Sequence, residues 1–323
     1  MDRNRQAIRR VLENGNNFLV AAHYNPDGDA IGSTAALGHM LARMGKNFAI
    51  YNVSGMPEPY AWLNLPAPLL TELPAEEPDW YLTLDCGDVD RLGVELRQRF
   101  NFERLINIDH HLGNPGFGSV NWVDPDYSSV GEMVAHLAMD LRMPMTGDLG
   151  EAIYLAIVTD TGYFSFGNTH PRTLELSAEI LRAGLDPESF NAKIQNQWSL
   201  GRLKLWASVW SDAELHLDGR VGVVRIPQHL LDETGTTSYD TDGLVNFVRR
   251  IKGVDVAVSL RENGPDKTKF SLRSPGTVNV QAIASILGGG GHRSASGGSV
   301  DAPIDEARGI LLKTIAQALE DEA

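Results

Sequence analysis

Residues 18–33 read F-L-V-A-A-H-Y-N-P-D-G-D-A-I-G-S, and their order decides the fold. The apolar run at 18–23 predicts a strand closed by His23. Asn25-Pro26 and Gly28 break the run into a loop that carries Asp27 and Asp29. Gly32-Ser33 opens a helical pattern that covers 30–44. A strand that passes through a polar loop into a helix is the repeating step of a parallel sheet.

The same alternation continues outward. Strands are predicted at 48–53, 80–86 and 104–108, and helices at 129–141, from Gly147-Asp148 to about Asp160, and at 173–183, where Gly184 is placed to end the last. The fold class is therefore α/β, a mostly parallel sheet flanked by helices on both faces. A helical, tryptophan-rich stretch at 187–210 reads as a linker. Beyond it the texture changes to a smaller α+β unit. Runs at 214–217 and 221–226 flank Asp218-Gly219, a hairpin turn. A second strand pair is expected at 254–261 and 269–273, with helices at 241–251, 278–287 and 304–319. The expected organisation is a first domain at 1–186, a linker at 187–210 and a second domain at 211–323, with a site in the cleft between the domains. The sequence shows no internal repeat and no low-complexity segment.

Composition sets the outer limits. The 323 residues are 42% apolar, enough for ordinary globular cores and, as a soft prior, about two domains. No apolar run reaches the ~18 residues of a transmembrane helix, so no membrane partner is expected. Residues 1–18 lack the apolar stretch of a signal peptide and read as an amphipathic helix. Cys86 is the only cysteine, which excludes internal disulfides and thiolate zinc clusters and fits a reducing, cytoplasmic setting. The net charge of -14 disfavours long-range attraction to nucleic acid, whose affinity comes largely from phosphate neutralisation. No long duplex is expected as a partner, and a nucleic-acid substrate should be short and held locally.

Polar clusters collect where the predicted strands end. Asp27 and Asp29 follow the first strand, Asp85 ends Y-L-T-L-D, Asp109-His110-His111 end L-I-N-I-D-H-H, and Asp160 lies in T-D-T-G after an apolar helix. In open α/β sheets ligands bind outside the carboxyl ends of the strands. Each cluster alone has a plain structural reading as a helix cap or turn. Together they would bring five aspartates into one crevice, and carboxylates within ~4–6 Å of one another cannot all stay ionised cheaply. These motifs contain no Lys or Arg to neutralise them. Two divalent metal ions would, and carboxylates mixed with imidazoles suit Mn2+, with zinc, iron, cobalt and magnesium as rivals. Such a pair supports hydrolysis of a phosphate ester.

A second constellation lies near the C-terminus. Gly288, Gly289, Gly290 and Gly291 follow an apolar helix and precede His292-Arg293. Consecutive glycines let a backbone approach a ligand, and successive amides can cradle a phosphate. Arg273, at the end of a strand, offers a bidentate fork. The plain reading is a helix end followed by a flexible turn.

On these residues the chain resembles the DHH phosphoesterase family, whose naming tripeptide matches Asp109-His110-His111. The match runs through H-Y-N-P-D-G-D-A-I-G-S, L-D-C-G-D and A-I-V-T-D-T-G-Y-F-S-F-G-N-T, and F-S-L-R-S and G-G-G-G-H resemble the family's associated substrate domain. The likeness is greatest to the group acting on very short RNA and on 3′-phosphoadenosine 5′-phosphate. It implies that His23, Asp27 and Asp85 hold one metal and that Asp29, Asp85, His110 and Asp160 hold the other. Asp109 would orient an imidazole, and His111 would touch the scissile phosphate. It further implies that Arg273, Ser274, Gly289, Gly290, Gly291, His292 and Arg293 grip the terminal nucleotide. Where relatives often have S-S-T-G-E, this chain has Ser128-Ser129-Val130-Gly131-Glu132.

Other residues are left with structural readings: Cys86, His39, His136, Tyr60, Trp62, Trp198, Trp206 and Trp210. Ser129 with Glu132 fits a capping box. Asn168-Thr169-His170 matches the family without a derivable role. The rival readings are an inorganic pyrophosphatase, an exonuclease on long single strands, and a nucleotide sensor that binds without cutting. The oligomeric state stays open, a homodimer included.

Overall fold

The computed structural model describes residues 3–195, 198–276 and 278–321. The chain divides into two compact units, Met1–Gln197 and Trp198–Ala323. In the first unit the order is α1 (Arg3–Asn14), β1 (Asn17–Ala22), α2 (Gly28–Arg43), β2 (Asn47–Tyr51), β3 (Leu69–Leu70), β4 (Trp80–Leu84), α3 (Val94–Arg99), β5 (Leu105–Asp109), β6 (Val120–Val123), α4 (Val130–Asp140), α5 (Asp148–Asp160), α6 (Pro171–Arg182) and α7 (Pro187–Gln195). Its strands form one six-stranded sheet, β3-β2-β1-β4-β5-β6, with every neighbouring pair parallel. The strand order reverses between β1 and β4, the point at which such a sheet opens a crevice at its carboxyl ends.

The sheet is buried on both faces. Phe18, Val20, Leu82, Ile106 and Ile108 join the core shared with α1, α2, α4 and α5. Leu19, Ala21, Tyr81 and Leu105 face the other way, toward Leu96 of α3. Strands covered on both sides read as continuous apolar runs rather than alternating ones, as 18–22 does. Local chemistry starts the helices: Asp27 caps α2 by accepting from the amides of Asp29 and Ala30, and Ser129 caps α4 by accepting from the amide of Glu132. At Gly131 a Cβ would lie 2.2 Å from the Cβ of Ala156, so glycine is what lets the start of α4 close on α5.

The stretch 187–210 is shared between the units. Phe190 of α7 packs in the first core against Trp62 and Tyr154. The second unit begins with α8 (Leu200–Ser211), whose Leu205, Trp206 and Val209 are buried in a core of that unit. There follow β7 (Glu214–His216), β8 (Val221–Ile226), α9 (Gln228–Thr234), α10 (Leu244–Val248), β9 (Val256–Glu262), β10 (Thr268–Arg273), α11 (Val280–Ile286), β11 (Gly290–His292), β12 (Ala295–Val300) and α12 (Ile304–Asp321). Its six-stranded sheet runs β11-β12-β10-β9-β8-β7, antiparallel except for the β8–β9 pair. The β7–β8 hairpin turns where expected, with Leu217, Asp218 and Gly219 all left-handed.

The glycine run departs from the expected turn, because half of it is the edge strand β11. A Cβ at Gly289 would meet the Gly297 carbonyl at 2.3 Å, and one at Gly291, where φ is +133°, would meet the Ala295 carbonyl at 2.6 Å. Close approach of two backbones therefore demands glycine at those positions. Gly290 is exposed and its missing Cβ would face open space. Among the described residues no helix is long and apolar enough to cross a membrane.

Candidate metal centre

The carboxyl ends of β1, β4 and β5 and the C-terminal end of α5 bring the sequence-predicted residues together. Donor atoms of His23, Asp27 and Asp85 lie within 4.8 Å of one another, as do those of Asp29, His110 and Asp160. Asp85 follows β4 in a left-handed conformation, φ +51°, rare for a residue with a side chain and tolerated where the surroundings enforce it. It is buried, with Oδ2 3.6 Å from His23 Nε2 and Oδ1 3.7 Å from His110 Nε2. The same His110 nitrogen lies 3.7 Å from Asp29 Oδ2 and from Asp160 Oδ2. These separations are too long for hydrogen bonds. They are the spacing of donors gathered around shared centres. Asp85 Oδ1 is buried and has no hydrogen-bond partner, which is costly unless something else satisfies it. The donor set fits a pair of divalent cations, with Asp85 between the two groups.

The imidazoles are oriented from behind. His110 Nδ1 lies 3.1 Å from the Tyr127 carbonyl, and donation there leaves Nε2 to face the carboxylates. His23 Nδ1 stands 2.9 Å from the Tyr24 carbonyl and 3.1 Å from Arg91 Nη2. One nitrogen cannot serve both partners in a single tautomer. Donation to Tyr24 is the arrangement that bares Nε2 as a ligand. Asp27 caps α2 and also stands in the His23 group, so capping the helix does not keep its carboxylate from the cluster.

His111 differs. Its Nδ1 lies 2.8 Å from Asp109 Oδ1, and Asn114 donates to the other oxygen of Asp109 at 2.6 Å. Burial alone would lower the His111 pKa, but the Asp109 hydrogen bond and the Asp85 charge outweigh it and hold the group at about 9. In the metal-free chain these partners favour the cationic form of His111. Burial pushes Asp160 up to about 7 against the pull of His110, with Asp85 and Asp27 adding to the rise. Burial, then Asp85, Asp160 and Asp27, raise Asp29 well above the usual carboxylate range. Burial would raise Asp85 too, yet His23, His111 and His110 hold it below that range.

Two neighbours of the centre escaped sequence reasoning. Arg91, absent from the motifs but six residues after Asp85, folds back against His23. Asn168 donates to Asp160 Oδ2 at 3.1 Å and to the Ser128 carbonyl at 2.9 Å, which gives the Asn168-Thr169-His170 match a first physical role. Arg91 was detectable only as a cation in the loop after β4, and Asn168 only as an amide in the loop after α5.

In the second unit Arg273 ends β10 and donates to the Leu272 carbonyl at 2.9 Å. Burial, with Arg249 nearby, lowers its pKa to about 10, so it stays cationic at neutral pH. Ser274 is buried, and its hydroxyl accepts from the amides of Gly276 and Val278, both at 3.1 Å. Register sets Arg273 opposite Ala295, and Ala295 opposite His292, so all three share one stretch of the sheet. Arg293 is exposed beside them.

Comparison with known proteins agrees with this geometry. Residues 17–157 match the N-terminal domain of the DHH family, and residues 218–321 match the DHHA1 domain. The chain is 32% identical over 315 residues to the bifunctional oligoribonuclease and PAP phosphatase NrnA of Thermus thermophilus, covering 94% of this chain and 90% of that one. The protein of the same name from Bacillus subtilis is 29% identical over 96% of this chain and 98% of its own. Among solved structures, an exopolyphosphatase-related protein from Bacteroides fragilis superposes with a TM-score of 0.87 at 27% identity, over 98% of this chain and 96% of that one. Enzymes of this family depend on divalent metal ions. With 32% identity to a relative over nearly the whole of both chains, the chain belongs to the DHH family of phosphoesterases, its second unit carrying the DHHA1 domain.

Proposed function

We propose that this protein hydrolyses short oligonucleotides, from di- to pentanucleotides and including linear dinucleotides, and 3′-phosphoadenosine 5′-phosphate, to mononucleotides, with Mn2+ as its metal. The observation that carries the reading is the convergence of His23, Asp27 and Asp85 with Asp29, His110 and Asp160 at the switch point of the sheet, beside His111, whose Nδ1 is engaged by Asp109. The two relatives named for both activities, alike over nearly the whole chain, support the choice of substrate class. Mixed carboxylate and imidazole donors support Mn2+.

Two divalent cations, when bound, supply Lewis acidity toward water and the phosphate oxygens. The six side chains would hold them. His111 donates a proton or hydrogen bond to the phosphate as charge develops, and Asp109 keeps its ring aimed. Arg273, His292 and Arg293, with the amides around Gly289, Gly290 and Gly291, hold the distal nucleotide. Ser274 holds the turn that presents Arg273. The proposed setting is the cytoplasm, and a homodimer is the assembly that sedimentation would test.

A substrate panel with Mn2+ tests the reading: a dinucleotide, a pentanucleotide, 3′-phosphoadenosine 5′-phosphate, a long single strand and pyrophosphate. The expected result is the highest kcat/KM on the first three, abolished by chelation. Equal or better kcat/KM on the long strand would favour an exonuclease, turnover of pyrophosphate alone a pyrophosphatase, and binding without turnover a sensor.

A further inference from the structure

The segment 126–132, D-Y-S-S-V-G-E, reaches every member of one ligand group. The Tyr127 carbonyl faces His110 Nδ1 at 3.1 Å. The Ser128 carbonyl accepts from Asn168 at 2.9 Å, and the same amide nitrogen donates to Asp160 Oδ2 at 3.1 Å. The amides of Val130 and Gly131 donate to the two oxygens of Asp29 at 2.7 and 2.9 Å. His110, Asp160 and Asp29 are one of the converging groups. His23 and Asp27 make their hydrogen bonds elsewhere: His23 Nδ1 donates to the Tyr24 carbonyl, and Asp27 accepts from the first amides of α2.

Glu132 holds this segment in shape. It is fully buried, and its carboxylate accepts from the Ser128 amide at 3.1 Å, from the Ser128 hydroxyl, from Thr173 Oγ1 at 2.9 Å and from Arg172 Nε at 2.8 Å. Arg172 also donates to the Asp126 carbonyl and lies 4.5 Å from the centre of the Tyr127 ring. The capping box expected of Ser129 and Glu132 is half formed. Ser129 caps α4, while the Glu132 carboxylate turns to Ser128, one residue before the cap, and to α6. A carboxylate serving only the helix start would not need partners from α6, the half-exposed Arg172 and the buried Thr173.

We infer that Glu132, with Arg172 and Asn168, is a positioning hub for the Asp29–His110–Asp160 site alone, so that the affinity of one divalent ion is set independently of the other. The inference rests on the two-metal reading above. Partners that orient metal ligands typically govern roughly ten- to a hundredfold in affinity. Glu132→Gln keeps the shape but presents an N–H where Ser128, Thr173 and Arg172 already donate. Arg172→Met and Asn168→Ala remove the hub's other arms from partly exposed positions.

Titration of the metal-free protein with Mn2+ alone, by calorimetry and by electron paramagnetic resonance, reads the two sites without any substrate. Circular dichroism establishes that each variant is folded. Wild type should bind two ions and give the spectrum of a spin-coupled pair. Each variant should keep one site at wild-type affinity, lose about ten- to a hundredfold at the other, and show an isolated ion at concentrations that saturate wild type. Equal weakening of both sites, or of neither, would overturn the hub. Failure of all three variants to fold would overturn it too, because the network would then serve the fold and not the site. Binding of fewer than two ions by wild type would instead bring down the two-metal reading.

Discussion

His110 and His111 are neighbours in sequence with opposite duties, and hydrogen bonds to Nδ1 separate them. His110 turns that nitrogen to a backbone carbonyl and Nε2 to three carboxylates. His111 commits Nδ1 to Asp109, so the 3.5 Å separation between that nitrogen and Asp85 Oδ1 is not available for coordination. His111→Ala should therefore lower kcat by roughly a hundred- to ten-thousandfold, the usual scale for general acid catalysis, and leave both Mn2+ ions bound. Loss of an ion from that variant, read by equilibrium dialysis, would make His111 a ligand and remove its proposed role. Much of this was legible beforehand. His23, Asp85, Asp109, His110 and His111 stand at or just past strand ends, which the strand–helix alternation marks, while Asp27 and Asp29 begin α2 and Asp160 ends α5. The orienting partners were not legible, because Tyr127, Asn168 and Arg91 reach the centre by loop paths that no local pattern encodes. The motifs themselves hold no Lys or Arg, and Arg91 reaches His23 from outside them.

Elements with local chemistry of their own were the ones the sequence announced. Asp27, Ser129 and Gly184 mark helix ends through side chain and backbone, and Asp218-Gly219 marks the hairpin. Strands defined by their neighbours were missed: β3 is two residues long, and β12, A-S-G-G-S-V, carries no apolar pattern and takes its conformation from β10 and β11. The glycine run shows both behaviours. Gly291→Ala should destabilise the sheet edge, since its Cβ would strike the Ala295 carbonyl, whereas Gly290→Ala should fold normally. If Gly290 lies against substrate, that variant loses kcat/KM at an unchanged melting temperature, and a fully active Gly290→Ala would remove it from the binding face. Arg273→Ala and His292→Ala separate binding from chemistry in the same way. Losing a charge-assisted hydrogen bond costs ~1.5–3 kcal/mol, roughly ten- to a hundredfold in kcat/KM. The loss should appear on a dinucleotide and be small on an aryl phosphodiester that lacks the distal nucleotide. Equal losses on both would place these residues in the chemical step or in support of the fold.

At the scale of the molecule, the cluster concentrates part of a net charge of -14 in one crevice, so metal occupancy, pH and stability are coupled. In the chelated protein Asp160 titrates at about 7 instead of the ordinary 3.8. Between those values the folded chain keeps a proton that the unfolded chain releases, and stability falls as pH rises through the window. Asp29, raised by burial and by its carboxylate neighbours, acts in the same sense. His111 adds to it: its folded pKa of about 9 lies above the ordinary 6.5, so its stabilisation is complete below 6.5 and is lost as pH rises through 9. Asp85, held below the usual range, opposes these groups only in acid, where its stabilisation is lost as pH falls. Divalent cations invert the trend because they bind the deprotonated carboxylates. At a thousandfold excess over the dissociation constant they should stabilise by ~4 kcal/mol, several degrees of melting temperature. The gain from Mn2+ should thus be larger near pH 8 than near pH 5. Thermal melts of chelated and Mn2+-loaded protein at both pH values measure it, with Asp160→Asn as the control. That variant, when chelated, should lose part of the decline between pH 4 and 7, because an amide has no proton to hold. A Mn2+ gain that is the same at both pH values, or a chelated Asp160→Asn with the full wild-type slope, would mean that the carboxylates are not the groups that link metal to fold.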